Sequence, residues 1–210
     1  MRVIGLTGGI GMGKSTAAAA FRRAHVRVFD ADAAVHALQA PGGRALPAIA
    51  AAFPGTVGRD EAGRQVLHRA ALRALVLADS DALRRLEAII HPLVRAAERA
   101  FLAQARRAGA RVCVLDIPLL LEQGGRASLP GRPNLRGRVD IVVVVSAPRD
   151  IQIRRVVRRG RMDRAQIEAV IARQMPDAQK RRLADHVVRT GLSRHHGWRA
   201  VRRLTLELLA

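Results

Sequence analysis

Apolar runs and helical stripes alternate along this chain. Val3-Ile4-Gly5-Leu6 is a short apolar run halted by Thr7-Gly8-Gly9, the pattern of a strand entering a turn. Lys14 to Ala24 is alanine-rich and reads as helix, and Val26-Arg27-Val28-Phe29 as a second strand that ends at Asp30-Ala31-Asp32. Short helical pieces follow, punctuated by Pro41-Gly42-Gly43 and Pro54-Gly55. From Arg64 to Leu77 the residues Leu67, Ala71, Leu72 and Leu75 recur at helical spacing, and Asp79-Ser80-Asp81 supplies a stop and a new cap. The next helix is expected to run to Ile90, with Pro92 in the first turn of a further one that Gly109 ends.

Two later segments, Val112-Cys113-Val114-Leu115 and Ile141 to Val145, are continuous and rich in β-branched residues. Strands apolar on both faces belong to parallel sheets covered by helices. Between them, Gly124 to Arg138 is rich in Gly, Pro and Arg and reads as an exposed loop. Asp163-x-x-Gln166 has the form of a capping box opening a helix to Gln174; His186-Val187-Val188 is a short last strand, and Trp198 to Leu209 a closing helix. The alternation predicts an α/β fold with a parallel sheet of about five strands flanked by helices, in one domain over residues 1–210.

Composition narrows the picture. Hydrophobic residues make up 49% of the chain, enough for a sizeable core, yet no stretch reaches the roughly 18 uninterrupted apolar residues of a membrane span. The first residues lack a signal peptide's apolar length, and the lone Cys113 can form no internal disulfide, which together predict a reducing, cytoplasmic setting with no membrane. The net charge of +20 invites a nucleic-acid reading. Against it, the basic residues are spread along the chain and aromatics are only 2%, with no tyrosine, so a base-stacking surface is poorly supplied. Of 37 basic side chains, only Lys14 and Lys180 are lysines. Where such a chain keeps a lysine, the chemistry is expected to require one.

Gly8 to Ser15 matches G-x-x-x-x-G-K-[ST] in full, between a predicted strand and a predicted helix. Glycines let the backbone curl so that successive N–H groups point inward at phosphate oxygens, and the helix beginning near Lys14 adds its positive end. The pattern predicts that Gly11, Met12, Gly13, Lys14, Ser15 and Thr16 bind ATP. Lys14 would be a mobile charge at the β- and γ-phosphates, and the Ser15 hydroxyl a ligand of Mg²⁺, which prefers oxygen. A regulatory GTPase would need Asn-Lys-x-Asp, but Asn134 is the only asparagine and Leu135 follows it; the Ser-Gly-Gly-Gln signature of transport ATPases does not occur. A kinase for small metabolites remains.

The motifs then resemble one family in order. Gly5 to Thr16 looks like the dephospho-CoA kinase form of the loop, followed by Asp30-Ala31-Asp32, His91-Pro92-Leu93, and Pro118-Leu119-Leu120 with Glu122 close behind. Gln152, Arg155 and Arg159 match a lid pattern, and Gln174-Met175-Pro176 a further family stretch. The resemblance implies transfer of the ATP γ-phosphoryl group to the ribose 3′-hydroxyl of dephospho-CoA, giving CoA, the last step of its synthesis. It implies a P-loop kinase core with a helical substrate-binding insertion near residues 60–110 and a short lid near 150–176. Asp32 would meet the acceptor hydroxyl as base or positioning group, with Lys14 and Arg155 as the other catalytic residues. Arg155 and Arg159, one helical turn apart, would close over the phosphates. His91, Pro118 and Leu119 would contact the acceptor, and Asp116, ending a strand, would help Ser15 hold Mg²⁺. A related nucleoside or nucleotide kinase, or a basic nucleic-acid-binding P-loop protein, are the alternatives.

Overall fold

The computed structural model describes residues 1–122, 135, 138–160 and 162–209. Most of the loop expected at 124–138 therefore lies outside the described residues. Five strands form one sheet: β1 (Arg2–Thr7), β2 (Arg27–Asp30), β5 (Val112–Asp116), β6 (Ile141–Ser146) and β7 (His186–Arg189), in the order β2-β5-β1-β6-β7. β1 runs parallel to both neighbours, with Leu6 opposite Asp116 on one side and Val143 on the other, and β6 runs parallel to β7. This is the parallel sheet that the continuous apolar runs predicted. Every residue of β5 is buried, as a strand covered on both faces requires.

The chain divides into two compact units. The first comprises Met1–Phe29 and Gln104–Ala210 and contains the sheet. Its helices are α1 (Lys14–Arg23), α6 (Arg149–Val157), α7 (Arg164–Arg173), α8 (Asp177–Arg182) and α9 (Arg194–Leu209). Ile4, Leu6, Phe21, Val114, Val143, Val145 and Val201 form its core, where α1 and α9 cover one face of the sheet. Phe21 is wholly inaccessible, and burying a side chain of that size contributes about 3 kcal/mol. Asp163 and Gln166 do form the predicted capping box at the start of α7, each side chain bonding the other's backbone N–H. α9 begins one turn before Trp198, where the Ser193 hydroxyl accepts from His196 N–H.

The second unit, Asp30–Ala103, departs from the helical reading in two places. Between α3 (Leu46–Ala52) and α4 (Arg69–Ala78) lies an antiparallel hairpin, β3 (Val57–Arg59) with β4 (Gln65–Leu67), so the helix expected from Arg64 starts only at Arg69. Asp60 makes the turn: its carboxylate accepts from the Arg64 backbone N–H, which holds its pKa below the ordinary value, and Gly63 adopts φ +73°. The second departure is α5 (Ser80–Arg107), one helix of 28 residues with Pro92 inside it. Proline forfeits the bond to the Ala88 carbonyl, at a cost of about 3 kcal/mol in a helix interior. The buried face of Ala82, Ile90, Val94, Leu102 and Ala105 carries the helix through this defect. No helix among the described residues is long and apolar enough to cross a membrane.

Cys113 is the second residue of β5, with no exposed surface, and burial pushes its thiol up to about 11 from the ordinary 9.0. A raised thiol pKa means that folding favours the neutral form. Its contribution to stability is full below pH 9 and is lost as pH rises through about 11. Native protein should therefore resist thiol alkylation at pH 8, because the thiol is both inaccessible and held neutral by the same burial. Full labelling should appear only on unfolding, and mass spectrometry of native and denatured samples checks this.

Candidate active site

The loop from Gly8 to Gly13 leaves the end of β1 and enters α1 at Lys14. Two glycines carry the curvature: Gly11 has φ +73° and Gly13, the N-cap of α1, φ +94°. A Cβ on Gly11 would also lie 2.6 Å from the Gln152 carbonyl oxygen, so packing forbids a side chain there independently of backbone strain. Four of the six residues in this stretch are glycines, and most of its bracing comes from outside. Gln152, 3% exposed on α6, donates to the Ile10 carbonyl at 2.7 Å, and the Ile10 N–H donates to Gln174 Oε1 at 3.1 Å. Thr190, just past β7, donates its hydroxyl to the Met12 carbonyl.

Arg155 closes this frame. Its guanidinium donates to the Thr190 carbonyl at 2.6 Å and the Thr190 hydroxyl at 3.0 Å, and approaches the Gly11 and Met12 carbonyls at 3.4 Å. Arg159 does not share a helix face with it, because α6 ends at Val157 and Arg159 lies in the turn beyond. The two nevertheless line one cavity of about 280 Å³, together with Gly13, Thr16, Ser193 and Gly197. Met12 also contributes through its side chain. It is 5% exposed, and the sulfur accepts from the Ala147 N–H at 3.1 Å, tying the loop to the end of β6.

Lys14 and Asp116 meet directly, Nζ to Oδ1 at 2.7 Å, with side chains 16% and 4% exposed. Parallel pairing of β1 and β5 causes this: it brings the end of β5 beside the exit of β1. Ser15 is exposed in the first turn of α1. Its hydroxyl and the Asp116 carboxylate are hard oxygen donors that fit Mg²⁺, an ion usually held by one or two protein oxygens plus phosphates and water. Among the described residues, no cluster of three or more His, Cys, Asp or Glu side chains offers a dedicated metal cage. Thr7 donates to the Pro118 carbonyl at 2.8 Å, which anchors the segment after β5; Pro118 is half-buried and Leu119 exposed.

The remaining predicted residues belong to the second unit. Asp30 caps α2 (Ala31–Leu38) by accepting from the Ala33 N–H at 3.0 Å. Asp32 is exposed in the first turn of that helix, and it is Asp30 that caps it. His91 is exposed on α5. Sequence reasoning gave no role to Gln152, Gln174 or Thr190. The first two stand in the family-like stretches, and that was their only signal.

Comparison with known proteins bears on this arrangement. The sequence model of the dephospho-CoA kinase family matches residues 2–193. A dephospho-CoA kinase of Paramagnetospirillum magneticum is 57% identical over 181 residues, covering 86% of this chain and 78% of that protein. Among solved structures, TT1252 from Thermus thermophilus superposes with a TM-score of 0.78 at 33% identity, covering 100% of this chain and 98% of that one. A dephospho-CoA kinase from Campylobacter jejuni shares the fold at 18% identity, with a TM-score of 0.65 and coverage of 99% and 97%. A glycine-rich loop braced by Gln152, Gln174 and Thr190, a lysine on a strand-end carboxylate, and a family match over nearly the whole length lead to one conclusion: this chain belongs to the dephospho-CoA kinase family.

Proposed function

We propose that this protein transfers the γ-phosphoryl group of ATP to the ribose 3′-hydroxyl of dephospho-CoA, producing CoA and ADP in the cytoplasm. The observation that carries the reading is the braced loop at Gly8–Ser15 with Lys14 paired to Asp116, in a chain of this family. Phosphoryl transfer demands positioning and neutralisation of charge spreading over the phosphoryl oxygens. The curled backbone N–H groups and the start of α1 supply fixed dipoles for the phosphates. Lys14 supplies the movable charge, and its bond to Asp116 keeps the ammonium directed to the end of the sheet where ligands of parallel α/β folds bind.

Mg²⁺, when bound, neutralises phosphate charge, and Ser15 and Asp116 are the residues that would hold it. Arg159 would bind ATP from the cavity it shares with Thr16, while the bonds of Arg155 support a role in holding the loop and the turn at Thr190 in register. Asp32 would orient the acceptor hydroxyl and receive its proton. Its place two residues past β2, at the carboxyl end of the sheet, supports that role. Pro118, Leu119 and His91 would contact the acceptor.

Lys14→Ala should lower kcat/KM by about 10³-fold, the effect of removing a charge aimed at the developing anion. Lys14→Arg should also be poorly active, because a planar fork does not replace a compact ammonium 2.7 Å from Asp116. A coupled ADP-release assay with dephospho-CoA measures both, and a near-normal rate for Lys14→Arg would refute the argument from shape.

Asp32→Asn keeps the size of the side chain and loses its charge. Turnover should fall by about 10²-fold or more with the affinity for Mg·ATP little changed. Asp30→Asn, which keeps an oxygen acceptor for the Ala33 N–H and so a good helix cap, should instead leave both stability and turnover largely intact. Equal turnover in the two variants would show that the roles are wrongly divided.

A further inference from the structure

Lys180 is the second of only two lysines in the chain, and the reaction as proposed gives it nothing to do. It lies in α8 with its side chain 2% exposed, and its Nζ is 2.6 Å from Glu122 Oε1. The approach is close, but its angles are not those of a hydrogen bond; neither Lys180 Nζ nor Glu122 Oε2 has a hydrogen-bonding partner among the described residues. Two charges so buried and so sparsely partnered are poor stabilisers, since an apolar pair of similar volume commonly does as well or better. Stability alone does not explain the pair.

Its connections do. Glu122 Oε1 also receives the Met175 backbone N–H at 3.4 Å. Met175 follows Gln174, whose Oε1 accepts from the Ile10 N–H of the phosphate-binding loop. The Gln174 oxygen would stand 2.9 Å from a Cβ on Gly9, so it rests against the loop itself. Lys180, Gln174 and Met175 line one cavity of about 490 Å³ with Gly9 and Met12. Lys180 thus holds Glu122, Glu122 holds the backbone at Met175, and that backbone sets Gln174 on the loop.

We infer that Lys180 and Glu122 are positioning residues for ATP, acting through Gln174 to keep Ile10 and the loop in their phosphate-binding curvature. A lysine suits this place because its side chain, 2% exposed, meets one carboxylate among the described residues, too few acceptors for the five donors of a guanidinium. The inference rests on the proposed kinase reading for the identity of the nucleotide.

The decisive protein is the double variant Glu122→Gln/Lys180→Met, which removes both charges together and so leaves no unpaired ion in the interior. Its melting temperature should stay within a few degrees of wild type. KM for ATP should rise about tenfold or more, with kcat within about threefold and KM for dephospho-CoA unchanged. Gln174→Ala should reproduce the rise, and combining it with the double variant should add little, as expected for residues on one path. Calorimetric titration with Mg·ATP reads the same loss without any acceptor. If dephospho-CoA were not turned over by the wild type, the acceptor assignment would fail while this titration still tested the pair. An unchanged ATP affinity in the folded double variant, fully additive effects with Gln174→Ala, or a double variant that does not fold would each overturn the inference.

Discussion

A loop that binds phosphate through its backbone must stay curved without side chains to hold it. Residues 8–13 need inward-facing N–H groups, and a Cβ at Gly11 would collide with the Gln152 carbonyl. The loop's four glycines offer nothing to brace the curve. Four side chains therefore hold it from outside: Gln152 and Gln174 on Ile10, Thr190 on Met12, and Arg155 across Thr190 and the loop carbonyls. These come from α6, from the residue after α7, and from the turn after β7, so the placement of three elements follows from one constraint on one loop. The sulfur of Met12 on Ala147 adds a fifth attachment at the strand next to β1.

That arrangement explains which parts of the protein could be read from its residues. The loop itself was legible, because its chemistry depends on residue types at fixed local spacing. The buried strands were equally legible, since β1, β5 and β6 are unbroken apolar runs. The bracing residues were not: Gln152, Gln174 and Thr190 act by single bonds to backbone atoms 142, 164 and 178 positions away. A neutral glutamine carries no local mark of such a partner. The pairing of Lys14 with Asp116 was half-visible, with both residues identified as functional and their contact revealed only by the register of β1 on β5.

The second unit misled the pattern for different reasons. β3 and β4 have three residues each, too few for a period of two to register, and the helical stripe continuing through Leu67 to Leu75 overlaps β4. Asp60 and Gly63 did carry the turn signal, and an aspartate three residues ahead of a glycine merits more weight than a stripe one residue too long. Pro92 was read as a boundary by the ordinary rule. Helix α5 overrides it because a face of buried residues on both sides outweighs one missing hydrogen bond.

The distribution of cations separates surface from interior. Arg154, Arg164 and Arg203 pair with a carboxylate four residues away on their helices, with the arginine side chains 70–81% exposed, where such pairs contribute a few tenths of a kcal/mol. Both lysines are instead largely buried, and each meets a carboxylate at or shortly after the end of β5: Lys14 meets Asp116, and Lys180 meets Glu122. A guanidinium brings five donors in a rigid plane, which water satisfies easily and a closed site with one carboxylate does not. An ammonium brings three on a flexible stem. Arginine is therefore tolerated wherever solvent completes its bonds, and lysine persists where the exit of β5 meets the framework of the phosphate-binding loop. The rarity of lysine in this chain thus marks the two places where interior packing, and not charge alone, selects the cation.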